Sequence, residues 1–380
     1  MKPAVAWSSA APAASVPTTS AQTALERATG PATDSNGTRH LSGVAMVAGG
    51  LRLHVAWALC LGPWQCACAA VVKPVVQEFE ATAVAMKVVE VAPHSYYVEG
   101  QAGAVSTANE GFNSNAAFVV TASGVVVFDA LGTPALGKRL ADLIARTTAQ
   151  PVRRVILSHY HSDHFYGLQA FQRPGVDIWA HELVRDYLAS DAPAARLAER
   201  RQSLAPWVNE KSRIVVPGRY LGEDTRFILG GLHFHVMHAG PAHTPEDLMM
   251  LVEEDRVLFV GDLVFSGRIP FVADADVSAW IKALDRVLEL KPRIIVGGHG
   301  PHSTNAIADL AQTRDYLVYL RTQISAAFEQ GLDFDSAYQR IDWSRFAALP
   351  AFEAANRRNA YQAYLNVERE ALSAAKQGRR

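Results

Sequence analysis

The stretch Ser158-His159-Tyr160-His161-Ser162-Asp163-His164 constrains this chain more than any other, because it packs four metal-ligand types into six residues directly after a β-rich run, Val152–Leu157. With 13 histidines in 380 residues, an H-x-H-x-D-H pattern arises by chance roughly once in a thousand such chains, which sets a solvated polar loop aside. The spacing carries a physical reason. His159 and His161 stand two apart in extended chain, so their rings leave the same side and can share one metal. Asp163 and His164 follow where the chain turns towards a helix, and can face a second metal a few ångströms away. Imidazole nitrogen suits zinc, and a carboxylate adds a hard oxygen ligand with negative charge.

Three further residues of ligand type each stand at the end of a β-run. His243 lies in the turn-rich Gly240-Pro-Ala-His-Thr-Pro-Glu-Asp247, Asp262 closes Leu258-Phe-Val-Gly-Asp262, and His299 follows Ile295-Val-Gly-Gly. Singly, His243 and His299 read as ordinary loop histidines; with the first motif they complete a set. Thiolates are excluded, because Cys60, Cys66 and Cys68 are the only cysteines and everything after Ala70 lacks them. Disulfides therefore cannot staple the body either.

Around these positions the pattern alternates between periods of two and of 3.6. Ala117–Thr121 and Val125–Asp129 read as a hairpin turning at 122–124. Pro134–Thr147 reads as a helix, with Leu136, Leu140, Leu143 and Ile144 at helical spacing, and Gly167–Phe171 as the helix after the histidine loop. Leu232–Val236, Leu248–Val252, Val257–Val260 and Arg293–Val296 read as strands, and Val277–Leu290 as an amphipathic helix. Beyond Gly300 the pattern is helical over Asn305–Gln330, Asp335–Arg340 and Pro350–Ala375. Strands interleaved with helices imply sheets sandwiched between helical layers.

Formal net charge is −1, from 36 Lys+Arg and 37 Asp+Glu, so no basic field exists for nucleic acid and a small-molecule substrate is expected. Residues 1–45, rich in Ala, Ser, Thr, Pro and Gly, read as disorder or as an over-extended N-terminus beginning before the true start at Met46. Residues 46–70 read as a signal peptide: Arg52 and His54 precede the apolar Val55–Gly62, and Ala67-Cys-Ala-Ala70 offers cleavage near residues 69–70. The run is too short for a stable membrane span. A periplasmic or secreted protein is expected, with a homo-oligomer left open.

The ordered set H-x-H-x-D-H, His243, Asp262 and His299 resembles the metallo-β-lactamase superfamily over about residues 85–300. The resemblance implies an α/β (α+β) fold, a four-layer αββα sandwich over residues 71–304 with C-terminal helices over 305–380, and a site at one edge of the paired sheets. It implies two zinc ions, with iron or manganese as substitutes: one on His159, His161 and His243, the other on Asp163, His164 and His299, with Asp262 bridging. Asp129 matches an aspartate that orients ligands from outside the metal sphere. Water shared by two zinc ions loses its proton near neutral pH and attacks the substrate, with Asp163 and Asp262 as the catalytic carboxylates.

Members of this fold that open β-lactams usually carry Cys or Ser where this chain has Asp262, so the resemblance implies an ester or thioester hydrolase like glyoxalase II and its exported relatives. A β-lactamase-like amide hydrolase and a non-catalytic metal-binding or redox module are the alternatives. The basic pattern that grips glutathione is absent from the C-terminal helices. Tyr166, His238, Phe265 and His302 are candidates for the substrate pocket, and Phe165 and Phe271 for an apolar wall, with core packing as the competing role. His233 and His235 read as half-buried or solvated strand residues. Arg268 reads as a solvated arginine, with contact to an acidic substrate group as the alternative.

Overall fold

A computed structural model describes residues 79–377 apart from Glu223 and residues 273–274. The expected signal peptide and the arm before it lie outside the described residues. The chain opens with strands β1 (Val88–Glu90), β2 (Ser95–Val98), β3 (Ala116–Thr121) and β4 (Gly124–Phe128), then helix α1 (Pro134–Thr147) and β5 (Val152–Ile156). Helix α2 (Ser162–Phe165) runs into a 3₁₀ turn, Tyr166–Phe171. After it come β6 (Asp177–His181), α3 (Val184–Ala189), α4 (Ala192–Ser203) and β7 (Arg219–Leu221). The second half holds β8 (Asp224–Leu229), β9 (Leu232–His238), β10 (Leu248–Val252), β11 (Val257–Phe265), α5 (Val277–Glu289) and β12 (Ile294–His299). Three helices follow: α6 (Ala306–Glu329), α7 (Phe334–Arg340) and α8 (Phe352–Gln377).

Strands β1 to β7 form one sheet in chain order, and the other runs β12-β11-β10-β9-β8. The alternation of side chains along each strand builds the layers. On β4, Val126 and Phe128 point into an inter-sheet core with Phe234, Met250 and Phe259. Val125 and Val127 point the other way, onto Leu136, Leu140 and Ile144 of α1. On β11, Val257 and Phe259 face between the sheets, while Leu258 and Val260 pack outward against Trp280 and Leu284 of α5 and Leu317 and Leu320 of α6. The result is a four-layer αββα sandwich, with α6 to α8 in the outer layer on the second sheet.

Helix starts follow local chemistry. Thr133 caps α1 through Leu136 N (3.2 Å) with Pro134 at the first helical position, and Asp276 caps α5 through Ala279 N (2.9 Å). Three expectations need correction. The helix expected at Gly167–Phe171 is 3₁₀ and begins at Tyr166; it is pressed against the loop after β4 and against α1, so that a Cβ on Gly167 would fall 1.7 Å from Ala130 O and 3.1 Å from Gly137 Cα. Strand β11 does not stop at Val260 or close on Asp262 but runs to Phe265. It crosses Gly261 (φ +51°) through a break in register with β12, so Asp262 stands mid-strand. Strands β1, β2 and β7 and helix α3 carry periodicity too short to declare itself in sequence, and α4 buries only Pro193 and Leu197, too few to mark an apolar face.

Candidate metal centre

The motif lies where β5 ends and α2 begins, at the open edge between the sheets. Asp129 leaves β4 in the left-handed region (φ +63°), which turns its carboxylate back under the histidine loop. There Oδ1 accepts from Ser158 N (2.7 Å), and Oδ2 accepts from Ser158 Oγ (2.7 Å) and His164 Nδ1 (2.9 Å). With its proton given to Asp129, Ser158 Oγ accepts from His159 Nδ1 (2.8 Å). On the far side, His299 Nδ1 donates to Asn113 O (2.6 Å). These partners occupy the outer nitrogens of three rings, so each ring turns its Nε2 inward.

What the inner nitrogens meet is Asp262. Its Oδ1 lies 3.1 Å from His164 Nε2, and its Oδ2 lies 3.3 Å from both His243 Nε2 and His299 Nε2 and 3.8 Å from His159 Nε2. Asp163 Oδ2 stands 3.5 Å from His299 Nε2, and His243 Nε2 is 2.8 Å from His161 Nδ1. The ligand-type atoms fall into two groups, each within 4.8 Å: His159, His161, His243 and Asp262, and Asp163, His164 and His299. All seven residues singled out from the sequence therefore meet at one place. Five are buried, and the half-buried His161 and Asp163 mark the mouth.

The cluster fits divalent cations. His159 Nε2, His164 Nε2 and Asp262 Oδ1, all facing the cluster, are buried with no hydrogen-bond partner, an expensive arrangement unless a cation draws on such atoms. Burial holds the His159 imidazole well below its ordinary value and the His243 imidazole down at about 3, so both rings are neutral, as ligands must be. Burial opposes ionisation of Asp262, but His299 and His164 outweigh it and keep the carboxylate charged. Burial likewise works against the charged form of His164, but Asp262, Asp129 and Asp163 overcome it and push the ring well above its ordinary value, so without a cation Nε2 carries a proton that a metal would have to displace.

Supporting contacts come from residues that sequence reasoning passed over. Glu246 Oε1 accepts from Tyr160 N (3.1 Å), between the two first histidines, and Asp247 accepts from Thr244 N (2.8 Å) and Oγ1 (2.7 Å), closing the His243 turn. The triplet Asn113-Ser-Asn115 grips both sides. Asn113 Nδ2 donates to Asp163 Oδ2 (2.9 Å), Ser114 Oγ to Asp163 O (2.6 Å), and Asn115 Nδ2 to Gly297 O (2.9 Å) and Gly300 O (2.8 Å). The only sequence signal was polar residues crowding against an apolar strand.

The weaker candidates divide. Phe265 is fully buried with its ring stacked on His299 (4.8 Å, 9°), so it floors the centre. Tyr166 and Phe165 are buried in the core under α1, so as placed neither these two nor Phe265 offers open surface to a substrate. Phe271 is partly buried against the core of the other face. His238 stacks on His181 (3.9 Å) and bonds Pro245 O (2.8 Å) beside the His243 turn. His302 bonds the Tyr97 hydroxyl through its backbone nitrogen (3.1 Å) and Nδ1 (3.2 Å). His233 is exposed on Glu254, whereas His235 is buried against Asp224. Arg268 is no solvated residue: it is 3% exposed, with Nη1 3.3 Å from His299 Nδ1, because the chain leaving β11 turns back beneath the centre.

The profile of the metallo-beta-lactamase superfamily matches residues 109–299, half the chain and all seven clustered residues. The chain belongs to this superfamily. Among curated metallo-beta-lactamase superfamily relatives, the type 2 metallo-beta-lactamase of Elizabethkingia meningoseptica is 25% identical over 193 residues, covering 50% of this chain and 69% of that one. The hydroxyacylglutathione hydrolase GloC of Haemophilus influenzae is 28% identical over 157 residues, covering 40% of this chain and 69% of its own length. Among solved structures, the sec-alkylsulfatase Pisa1 from Pseudomonas sp. superposes with a TM-score of 0.57 at 18% identity, over 73% of this chain and 50% of that one. That likeness establishes the shared fold.

Proposed function

We propose that this superfamily member is a dinuclear zinc hydrolase acting on an ester or thioester bond of a small molecule. One observation carries the reading: three histidines donate their outer N–H groups to fixed acceptors and turn their Nε2 atoms onto one carboxylate, Asp262. His159, His161 and His243 would hold one cation, Asp163, His164 and His299 the other, and Asp262 both. Imidazole-rich sets suit zinc, with iron or manganese as substitutes. Two such cations would supply Lewis acidity and lower the pKa of water between them.

The rest falls to the chain's own residues. Asp163, with a side chain 20% exposed at the mouth, orients the attacking water and accepts its proton. Asp262 holds the two halves at fixed separation, and Asp129 and Ser158 hold His164 and His159. Phe265 and Trp280 pack edge-on or stacked against His243 and His299, excluding water from behind. An ester or thioester is favoured over a β-lactam because Asp262 stands where lactam-opening members carry Cys or Ser, and GloC is named for a thioester-type substrate. We also propose that the chain is exported to the periplasm or beyond and cut near Ala69–Ala70. Among the described residues no helix is long and apolar enough to cross a membrane.

Metal analysis of stripped and zinc-reconstituted protein should plateau at two equivalents. Thioester or ester hydrolysis should exceed cephalosporin or carbapenem hydrolysis by orders of magnitude. Asp262→Asn keeps the size and removes the charge, so zinc content and turnover should fall together. A hundredfold loss corresponds to roughly 2.7 kcal/mol of transition-state stabilisation. Efficient β-lactam turnover, or an Asp262→Asn protein with both metals and full activity, overturns the reading.

A further inference from the structure

We propose that Asn113 is a positioning residue that sets the cation affinity of the Asp163–His164–His299 half of the centre and leaves the other half alone, an inference that rests on the dinuclear reading above. Asn113 holds two of these three residues by different atoms. Its side-chain Nδ2 donates to Asp163 Oδ2 at 2.9 Å, the same oxygen that stands 3.5 Å from His299 Nε2. Its main-chain oxygen accepts from His299 Nδ1 at 2.6 Å, which commits that ring to presenting Nε2. Both ligands it holds belong to the Asp163, His164 and His299 group, and neither to the other.

The two residues it joins come from opposite sheets. Asp163 follows β5 of the first sheet, and His299 ends β12 of the second. Sheet packing alone leaves their separation to the slide between layers, so a common anchor is what brings them into register. The anchor is itself fixed: Ser114 Oγ donates to Asp163 O (2.6 Å), and Asn115 N donates to Gly298 O (2.7 Å) while its side chain binds Gly297 O and Gly300 O.

The amide also gives something up to do this. Asn113 is 7% exposed, and its Oδ1 is buried without a partner. Leaving a buried acceptor unpaired is unfavourable. Turning the amide over would instead set that oxygen against the Asp163 carboxylate and abolish the donated bond. The orientation that feeds Asp163 is thus kept at the expense of the other amide atom, a pattern that a residue serving packing alone does not need. Outer partners of metal ligands commonly govern affinity by 10–100-fold.

The test is stepwise zinc titration of the stripped full-length protein against a chromophoric chelator, with cobalt(II) titration followed by visible absorption. Wild type should take two equivalents. Asn113→Asp, similar in size but placing carboxylate against carboxylate, should keep one equivalent within about threefold and weaken the other by about 10–100-fold. Asn113→Ser, which removes the donor without adding charge, should weaken it less and supplies the comparison if the aspartate variant does not fold. Two equivalents in wild type and in both variants at unchanged affinity overturns the role of Asn113 alone. Equal weakening of both equivalents overturns its selectivity, marking a general structural role. Fewer than two equivalents in wild type overturns the dinuclear reading and this inference with it.

Discussion

Glu246 joins two ligand loops through a single atom, accepting from Tyr160 N while lying 2% exposed beside Asp247. Burial first, and then the Asp247 charge, push its carboxyl up from 4.5 to about 8; burial likewise pushes Asp247 up from 3.8 to about 7. The folded protein therefore keeps a proton on Glu246 that the unfolded chain releases near pH 4.5. Stability from this group is full below that pH and is lost as pH rises towards about 8. Asp247 acts in the same direction over its own window. Glu246→Gln keeps an acceptor for Tyr160 N but cannot ionise, so its stability should fall less between pH 5 and pH 8 than wild type's. Guanidinium unfolding at several pH values across that range measures the difference. Parallel curves for the two proteins would show that Glu246 remains ionised in the fold.

At the scale of elements, the centre depends on how closely β11 and β12 approach. The pair is parallel, with its register broken on either side of Gly261. A Cβ on Gly298 would stand 2.0 Å from Asp262 Oδ1, and one on Gly297 would stand 2.4 Å from Val264 O. Glycine at 298 is thus a demand of the Asp262 carboxylate on the neighbouring strand. Gly298→Ala should displace Asp262, lowering zinc content below two equivalents and destabilising the fold by about 1–3 kcal/mol through overpacking. Gly222→Ala is the control, since nothing lies within 4 Å of a Cβ there. Metal analysis with thermal unfolding of both variants decides it. An unchanged zinc content in Gly298→Ala would refute the dependence.

For the whole molecule, stability comes from apolar layers. The two sheets pack face to face, α1 covers one outer face, and α5, α6 and α8 cover the other through Trp280, Leu317, Leu320 and Ala360. All three cysteines precede the described residues, so no disulfide can form within this body. Location then rests on the proposed leader at 46–70 rather than on the fold. N-terminal sequencing of native protein from fractionated cells should find a chain beginning near residue 70 outside the cytoplasm. An intact cytoplasmic chain beginning at Met1 would sink the export reading.

By itself the sequence determined which residues form the centre, because ligand types at fixed spacing beside strand ends are a local signal that survives without coordinates. It also determined the helices with a sustained apolar period, such as α1 through Leu136, Leu140, Leu143 and Ile144, and the longer strands. Short strands such as β1 and β7, three residues each, exist only because neighbours pair with them, so their own residues carry too little pattern. Only the tertiary structure decided that Arg268 is buried, that Asp262 stands inside a bulged strand, and that Asn113 reaches both Asp163 and His299. Those facts depend on which segments the two sheets bring together, 50 residues apart for Asn113 and Asp163 and 186 for Asn113 and His299. No local periodicity encodes a contact whose partner lies in the opposite sheet.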